Sequence, residues 1–206
     1  PAKLKVDISR IQFDLDRRRP GQSHLTTPRQ ELDQIEILSG VFEGQTLGTP
    51  ILMLVKNKDA RPSAYEHLKD VYRPSHADMT YQEKYGIRNW QGGGRASARE
   101  TVGRVAAGAI AKQILSDLKI TAFVSSVGDI KVDKHYSKLN FSEIEKNPVR
   151  CADPTTASLM EDHIKDIRKQ GDTIGGVVTC VIENTPIGLG EPVFDKLHAD
   201  LGKAML

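Results

Sequence analysis

The chain has only two cysteines in 206 residues, Cys151 and Cys180, which excludes a disulfide framework, and their spacing matches no metal-binding pattern. Both read as buried or inert thiols, which points to a reducing compartment, the cytoplasm. No apolar run approaches the ~20 residues needed to span a bilayer, so no membrane partner is expected, and no secretory leader pattern opens the chain. An excess of one charge is also lacking. Lys and Arg number 29 against 27 Asp and Glu, a formal +2, too little for bulk attraction to nucleic acid. The motifs of several enzyme classes are missing as well: no GxGxxG after an apolar strand, no GK[ST] loop, no HExxH and no GxSxG. No solenoid-period repeat or low-complexity tract occurs.

What remains is ordinary globular composition, 38% hydrophobic and 27% charged, enough for one good-sized domain or two small ones. The cations are clustered, at Arg17–Arg19 and between Arg73 and Arg104, which argues for local anion sites.

Asp7 caps a first helix, with Ile8, Ile11 and Leu15 on one face and a stop at Pro20-Gly21. Three adjacent arginines at its end either complement the helix dipole or clamp a polyanion. The stretch QSHLTTPRQ reads as a loop. Residues 34–39 and 49–55 read as an antiparallel pair of strands, with a turn over 44–48. From Lys56 to Gly94 periodicity dissolves, apart from a short helix near Ala64–Leu68, and this segment is read as a flexible flap ordered by ligand. A helix over 98–118 follows. Val102, Val105, Ala109, Ile110, Ile114, Leu115 and Leu118 would be buried, and Ala106–Ala109 would admit a close neighbouring backbone. A strand over 120–126, a helix over 156–170 with Leu159, Ile164 and Ile167 inward, a strand over 173–183 and a glycine-rich turn into a last helix complete the chain. Blocks of strands and helices, without strict βαβ order, give an α+β class and exclude a Rossmann fold.

The richest chemistry lies in residues 72–112, where His76, five arginines and Gly92-Gly93-Gly94 stand ahead of one small-residue helix. Arginine forks match phosphate or carboxylate oxygens, glycines let backbone approach a ligand, and a helix start favours an anion. A loop histidine is ordinarily just solvated. His76, with Arg73 three residues before it and Asp78 two after, is placed for proton transfer, Asp78 orienting the ring. Ser97 reads as an N-cap, and Arg95, Ser97 and Arg99 converge on the same helix start, as phosphate or flavin contacts. A module that only holds a phosphate or flavin nucleotide is the competing reading.

The segments RRRPGQS, VYRPSHADMTYQEKYGIRNWQGGGRASARET, RVAAGAIAK, GDTIGG and GLGEPVFDKLHADL closely resemble the chorismate synthases, in order across the whole chain. The resemblance implies a β-α-β sandwich of antiparallel sheets around a helical layer, one partial domain over 1–206, and a homotetramer. It implies conversion of 5-enolpyruvylshikimate 3-phosphate to chorismate, with reduced FMN required but not consumed and NADPH as a possible reductant. By motif position it makes His76 catalytic. It assigns Arg18, Arg73 and Arg99 to substrate, Arg95, Ala96 and Ser97 to FMN, and Arg18 and His24 to NADP. Ala96 stands where many members have serine, and His24 where some have a second nucleotide-binding arginine. The family's GESHG segment, with its histidine, and its C-terminal part are expected outside this chain, which alone would hold part of a site and be inactive.

Overall fold

A computed structural model describes residues 1–26, 32–58 and 62–206. It divides into two compact units, Pro1–Leu115 and Ser116–Leu206. Both combine helices with small antiparallel sheets, an α+β fold.

The first unit opens with β1 (Ala2–Lys5) and α1 (Ile8–Arg18). Asp7 caps α1 as expected, its carboxylate accepting from the backbone N–H groups of Ser9 and Arg10. These bonds, chiefly that from the Ser9 hydroxyl, hold the Asp7 carboxyl below the usual range. Then come β2 (Ile35–Ser39), β3 (Val41–Phe42), β4 (Gln45–Leu47) and β5 (Leu52–Val55). β2 pairs antiparallel with β5, as the alternation of apolar residues predicts. The expected turn over 44–48 instead contains β4, which pairs with both β3 and β1. Gly40 makes that excursion possible: at φ +82 it turns the chain where an added Cβ would lie 2.5 Å from the Pro50 carbonyl oxygen.

Within the stretch expected as a flap, residues 62–68 form a 3₁₀ helix and Asp78–Tyr85 a regular helix, α2. α2 escaped the sequence reading because Ala77 offers no capping side chain and the segment has no apolar stripe. Two 3₁₀ turns, Gly94–Ala96 and Ala98–Glu100, lead into α3 (Thr101–Ile114). Ile11 and Leu15 of α1 pack on Ala106, Ala109 and Ile110 of α3, over Ile35, Ile37, Met53 and Val55 of the β2–β5 pair. Ile8, Ile114 and Leu115, expected inside, are exposed. A Cβ at Gly108 would meet nothing within 4 Å, so the small residues of α3 admit no close backbone there.

The second unit holds β6 (Lys119–Val127), β7 (Ile130–Lys131), α4 (Pro154–Lys169), β8 (Gly176–Glu183), β9 (Gly190–Glu191), β10 (Asp195–Lys196) and α5 (Leu197–Met205). β6 is the middle strand, flanked by β7 and β8. Asp153 accepts from Thr156 N–H at the start of α4, where Pro154 costs no hydrogen bond. The core is formed by Phe123, Ile144 and Ala152, with Leu139, Phe141 and Val181 packed around them. Ala157 and Met160 form the buried face of α4, while Leu159, expected inward, is exposed. Cys151 is buried but Cys180, expected buried or inert, is exposed on β8.

Candidate functional site

Three of the arginines singled out by sequence, Arg18, Arg73 and Arg99, are anchored on two buried carboxylates of the first unit, Asp33 and Asp78. The Asp33 side chain has 0% exposure. Its Oδ2 accepts from Arg18 Nη1 at 2.7 Å and its Oδ1 from Arg99 Nη2 at 3.1 Å. Arg18 comes from the last turn of α1 and Arg99 from the 3₁₀ turn before α3. Arg18 Nε also donates to Thr101 Oγ1 at 3.3 Å, and Arg99 reaches the Lys56 carbonyl at 3.4 Å. The repulsion within Arg17–Arg19 is relieved by the protein itself, since Arg17 lies 3.8 Å from Asp14 and Arg18 is taken by Asp33.

Asp78 opens α2 with 2% side-chain exposure. Arg73 grips it as a two-point fork, Nε to Oδ2 and Nη2 to Oδ1, both at 2.9 Å, and adds its backbone N–H at 3.2 Å. Arg88 Nη1 stands 3.5 Å from the same carboxylate, too poorly aligned for a hydrogen bond. Arg88 Nη2 is fixed by the carbonyls of Leu68, Lys69 and Val71 at 2.9, 2.7 and 2.9 Å. The hydrogen bonds from Arg73 outweigh the cost of burial and hold the Asp78 carboxyl at a pKa of about 2. Each centre thus joins two guanidiniums to one buried carboxylate, a cluster of fixed cations of the kind an anion site uses.

The triple glycine sits against this arrangement. Gly92, Gly93 and Gly94 all have positive φ, at 113°, 86° and 49°. A Cβ on Gly93 would lie 2.9 Å from Arg73 Nη2, so the bare backbone is what lets the guanidinium lie over the turn. The turn continues directly into Arg95-Ala96-Ser97, with Ala96 N–H donating to Gly93 O at 2.8 Å and Ser97 N–H to Gly94 O at 3.1 Å. Ser97 caps the next turn as expected, its Oγ accepting from Arg99 N–H at 3.3 Å. Arg95 is exposed at the turn, while Ala96 and Ser97 are half-buried. With the Ala96 and Ser97 N–H groups bonded inside the turn, the exposed Arg95 guanidinium is the group of this stretch suited to a phosphate such as that of FMN.

His76 is exposed, and its Nδ1 lies 2.9 Å from the Pro74 carbonyl. A carbonyl only accepts, so Nδ1 carries the hydrogen in this contact and Nε2 is the basic nitrogen. The expectation that Asp78 orients this ring is overturned. Asp78 is engaged by Arg73 and Arg88, and the backbone of Pro74 orients His76 instead. His24 is exposed in the loop after α1. Asp33, Arg88 and Thr101 were missed by sequence reasoning. The only available signal was charge counting, because arginines this dense need carboxylates, but nothing in the sequence says which. Among the described residues no group of three His, Cys, Asp or Glu side chains is arranged to hold a metal ion.

The comparisons with known proteins match this chain to one family. The family model described as chorismate synthase matches residues 1–206. The chorismate synthase of Christiangramia forsetii is 64% identical over 206 residues, covering all of this chain and 58% of that protein. That of Synechocystis sp. is 59% identical over 209 residues, with 100% and 58% covered. A solved structure titled crystal structure of chorismate synthase superposes with a TM-score of 0.71 at 31% identity, covering 93% of this chain and 53% of that one. The chain therefore spans a little over half the length of these relatives. Residues 1–206 belong to the chorismate synthase family.

Proposed function

We propose that the protein acts as a chorismate synthase, eliminating phosphate from 5-enolpyruvylshikimate 3-phosphate in a trans 1,4 sense to give chorismate. The observation that carries this reading is the pair of anchored arginine centres beside the triple-glycine turn. A substrate bearing a phosphate and two carboxylates needs several fixed cations, each with its own neutralising anchor so that the empty site does not repel itself. Arg18, Arg73 and Arg99 hold the substrate oxyanions, and Arg95, Ala96 and Ser97 hold the phosphate end of FMN. In the elimination a C–O bond to phosphate and a C–H bond across the ring break, and the new double bond keeps the electrons. His76, with Nε2 as its basic nitrogen, moves a proton at the flavin edge of the site. Reduced FMN, when bound, supplies the electron density that weakens the bond to the leaving phosphate. The same reading takes NADPH as reductant, held by Arg18 and His24. It includes a homotetramer, a cytoplasmic location and a segment 56–94 that gains order with FMN.

The test is anaerobic incubation of the full-length protein with reduced FMN and substrate, in which phosphate and chorismate are expected in equal amounts. Release of neither sinks the reading. His76→Ala is expected to lower turnover by roughly 10²–10⁴-fold while leaving flavin affinity unchanged. A second reading, drawn from the same arginine centres, is a module that binds FMN or phosphate without turnover. Flavin binding by the full-length protein with no product would support it.

A further inference from the structure

We infer that Asp33 is a positioning residue for the proposed reaction, setting the spacing and the net charge of the Arg18–Arg99 pair; the inference rests on the functional reading above. Three observations carry it. First, the two guanidiniums stand on opposite oxygens of one fully buried carboxylate, Arg18 on Oδ2 and Arg99 on Oδ1, so their separation is set by the carboxylate itself. Second, Asp33 is itself clamped. At φ +41 it occupies a conformation that aspartate tolerates better than most residues. Gln12 of α1 closes over its loop, donating to the carbonyls of Leu32 and Asp33 at 3.5 and 3.4 Å and accepting from Ile35 N–H at 3.1 Å. Third, the arginines remain 20% and 23% exposed. Arg18 has five N–H donors and uses two of them, from Nε and Nη1, in the bonds to Thr101 and Asp33. Asp33 touches no substrate in this scheme and acts only through the two arginines.

Removing the charge has two separable consequences. The local charge rises by one positive unit, which strengthens attraction for any anion, while the fixed geometry is lost. In the full-length enzyme, Asp33→Asn is therefore expected to lower kcat by roughly 10- to 100-fold, the scale of a misplaced catalytic contact. Affinity for inorganic phosphate, measured by calorimetry, should be unchanged or tighter. General structural damage would instead weaken both together. A kcat within about twofold of the unsubstituted enzyme, or phosphate affinity lost in parallel with kcat, overturns the inference. In an Arg99→Gln background the same Asp33→Asn change should cost less than about threefold further, because residues acting through one another are not additive. A full additional tenfold or greater loss also overturns it. This double variant strands one buried charge fewer, and carries the test if Asp33→Asn alone does not fold. An unsubstituted enzyme that releases no phosphate overturns the functional reading and this inference with it; an active unsubstituted enzyme with an equally active Asp33→Asn variant overturns the inference alone.

Discussion

Asp33 and Asp78 are both buried carboxylates holding two guanidiniums, but the chain assembles their surroundings over different distances. Both guanidiniums on Asp78 come from nearby in the chain: Arg73 five residues before it and Arg88 ten after, with the first turn of α2 bringing the carboxylate to the positive end of a helix dipole. Asp33 takes Arg18 from 15 residues before and Arg99 from 66 after. Its centre exists only when α1 has packed on α3 and Gln12 has closed the loop. The exposures differ accordingly, 15% and 6% for the arginines on Asp78 against 20% and 23% for those on Asp33. The more deeply buried centre is the one whose loss should cost more stability. The more open one should matter more to ligands.

The sharpest way to break this comparison is Asp78→Ala, which strands two buried guanidiniums and is expected to destabilise the first unit by ~3–5 kcal/mol. Denaturant titration measures it, and a smaller cost than that of Asp33→Ala would reverse the ranking. Next comes Gly93→Ala. A Cβ there meets Arg73 Nη2 at 2.9 Å and forces φ 86 on an L-residue, for ~1–3 kcal/mol and a weakened flavin site. Unchanged stability and flavin affinity would mean that the turn does not lean on Arg73.

Acid gives a third measure. The folded-state pKa of Asp78 is depressed from 3.8 to about 2. Its contribution is therefore fully present above the unfolded value and is lost as pH falls from about 4 to about 2, on the order of 2 kcal/mol. The stability gap between the unsubstituted protein and Asp78→Asn should narrow across that window. A gap independent of pH would show that the carboxylate charge is not what holds Arg73. The smallest effect is expected for Gln12→Ala, about 1 kcal/mol from lost hydrogen bonds, with kcat reduced through Asp33. A kcat equal to that of the unsubstituted enzyme would separate the Asp33 loop from catalysis.

Much of the fold was legible residue by residue. Asp7 caps α1, Ile11 and Leu15 face inward, β2 pairs with β5, and the strands around 120–126 and 176–183 stand where their apolar runs are. What was not legible has physical causes. β1, β3 and β4 hold four, two and three residues, too few for a period to register. Ile114 closes the last turn of α3, while Leu159 lies off the face that Ala157 and Met160 bury, about a third of a turn from it. In the site, the Ser97 cap was readable because its bond is local, made two residues along the chain. Asp78 was visible but assigned to its neighbour His76, since sequence proximity cannot tell which cation a carboxylate will face.

By itself the sequence determined the helices and longer strands, the density of cations ahead of α3, and the motifs that place the chain in its family. These follow from capping, periodicity and residue type, all of which act within a few positions along the chain. Only the tertiary structure decided which carboxylate neutralises Arg18 and Arg99, and that Gly93 is there to make room for Arg73. Those outcomes depend on through-space distance and burial. Spacing along the chain does not encode a contact made across 66 residues.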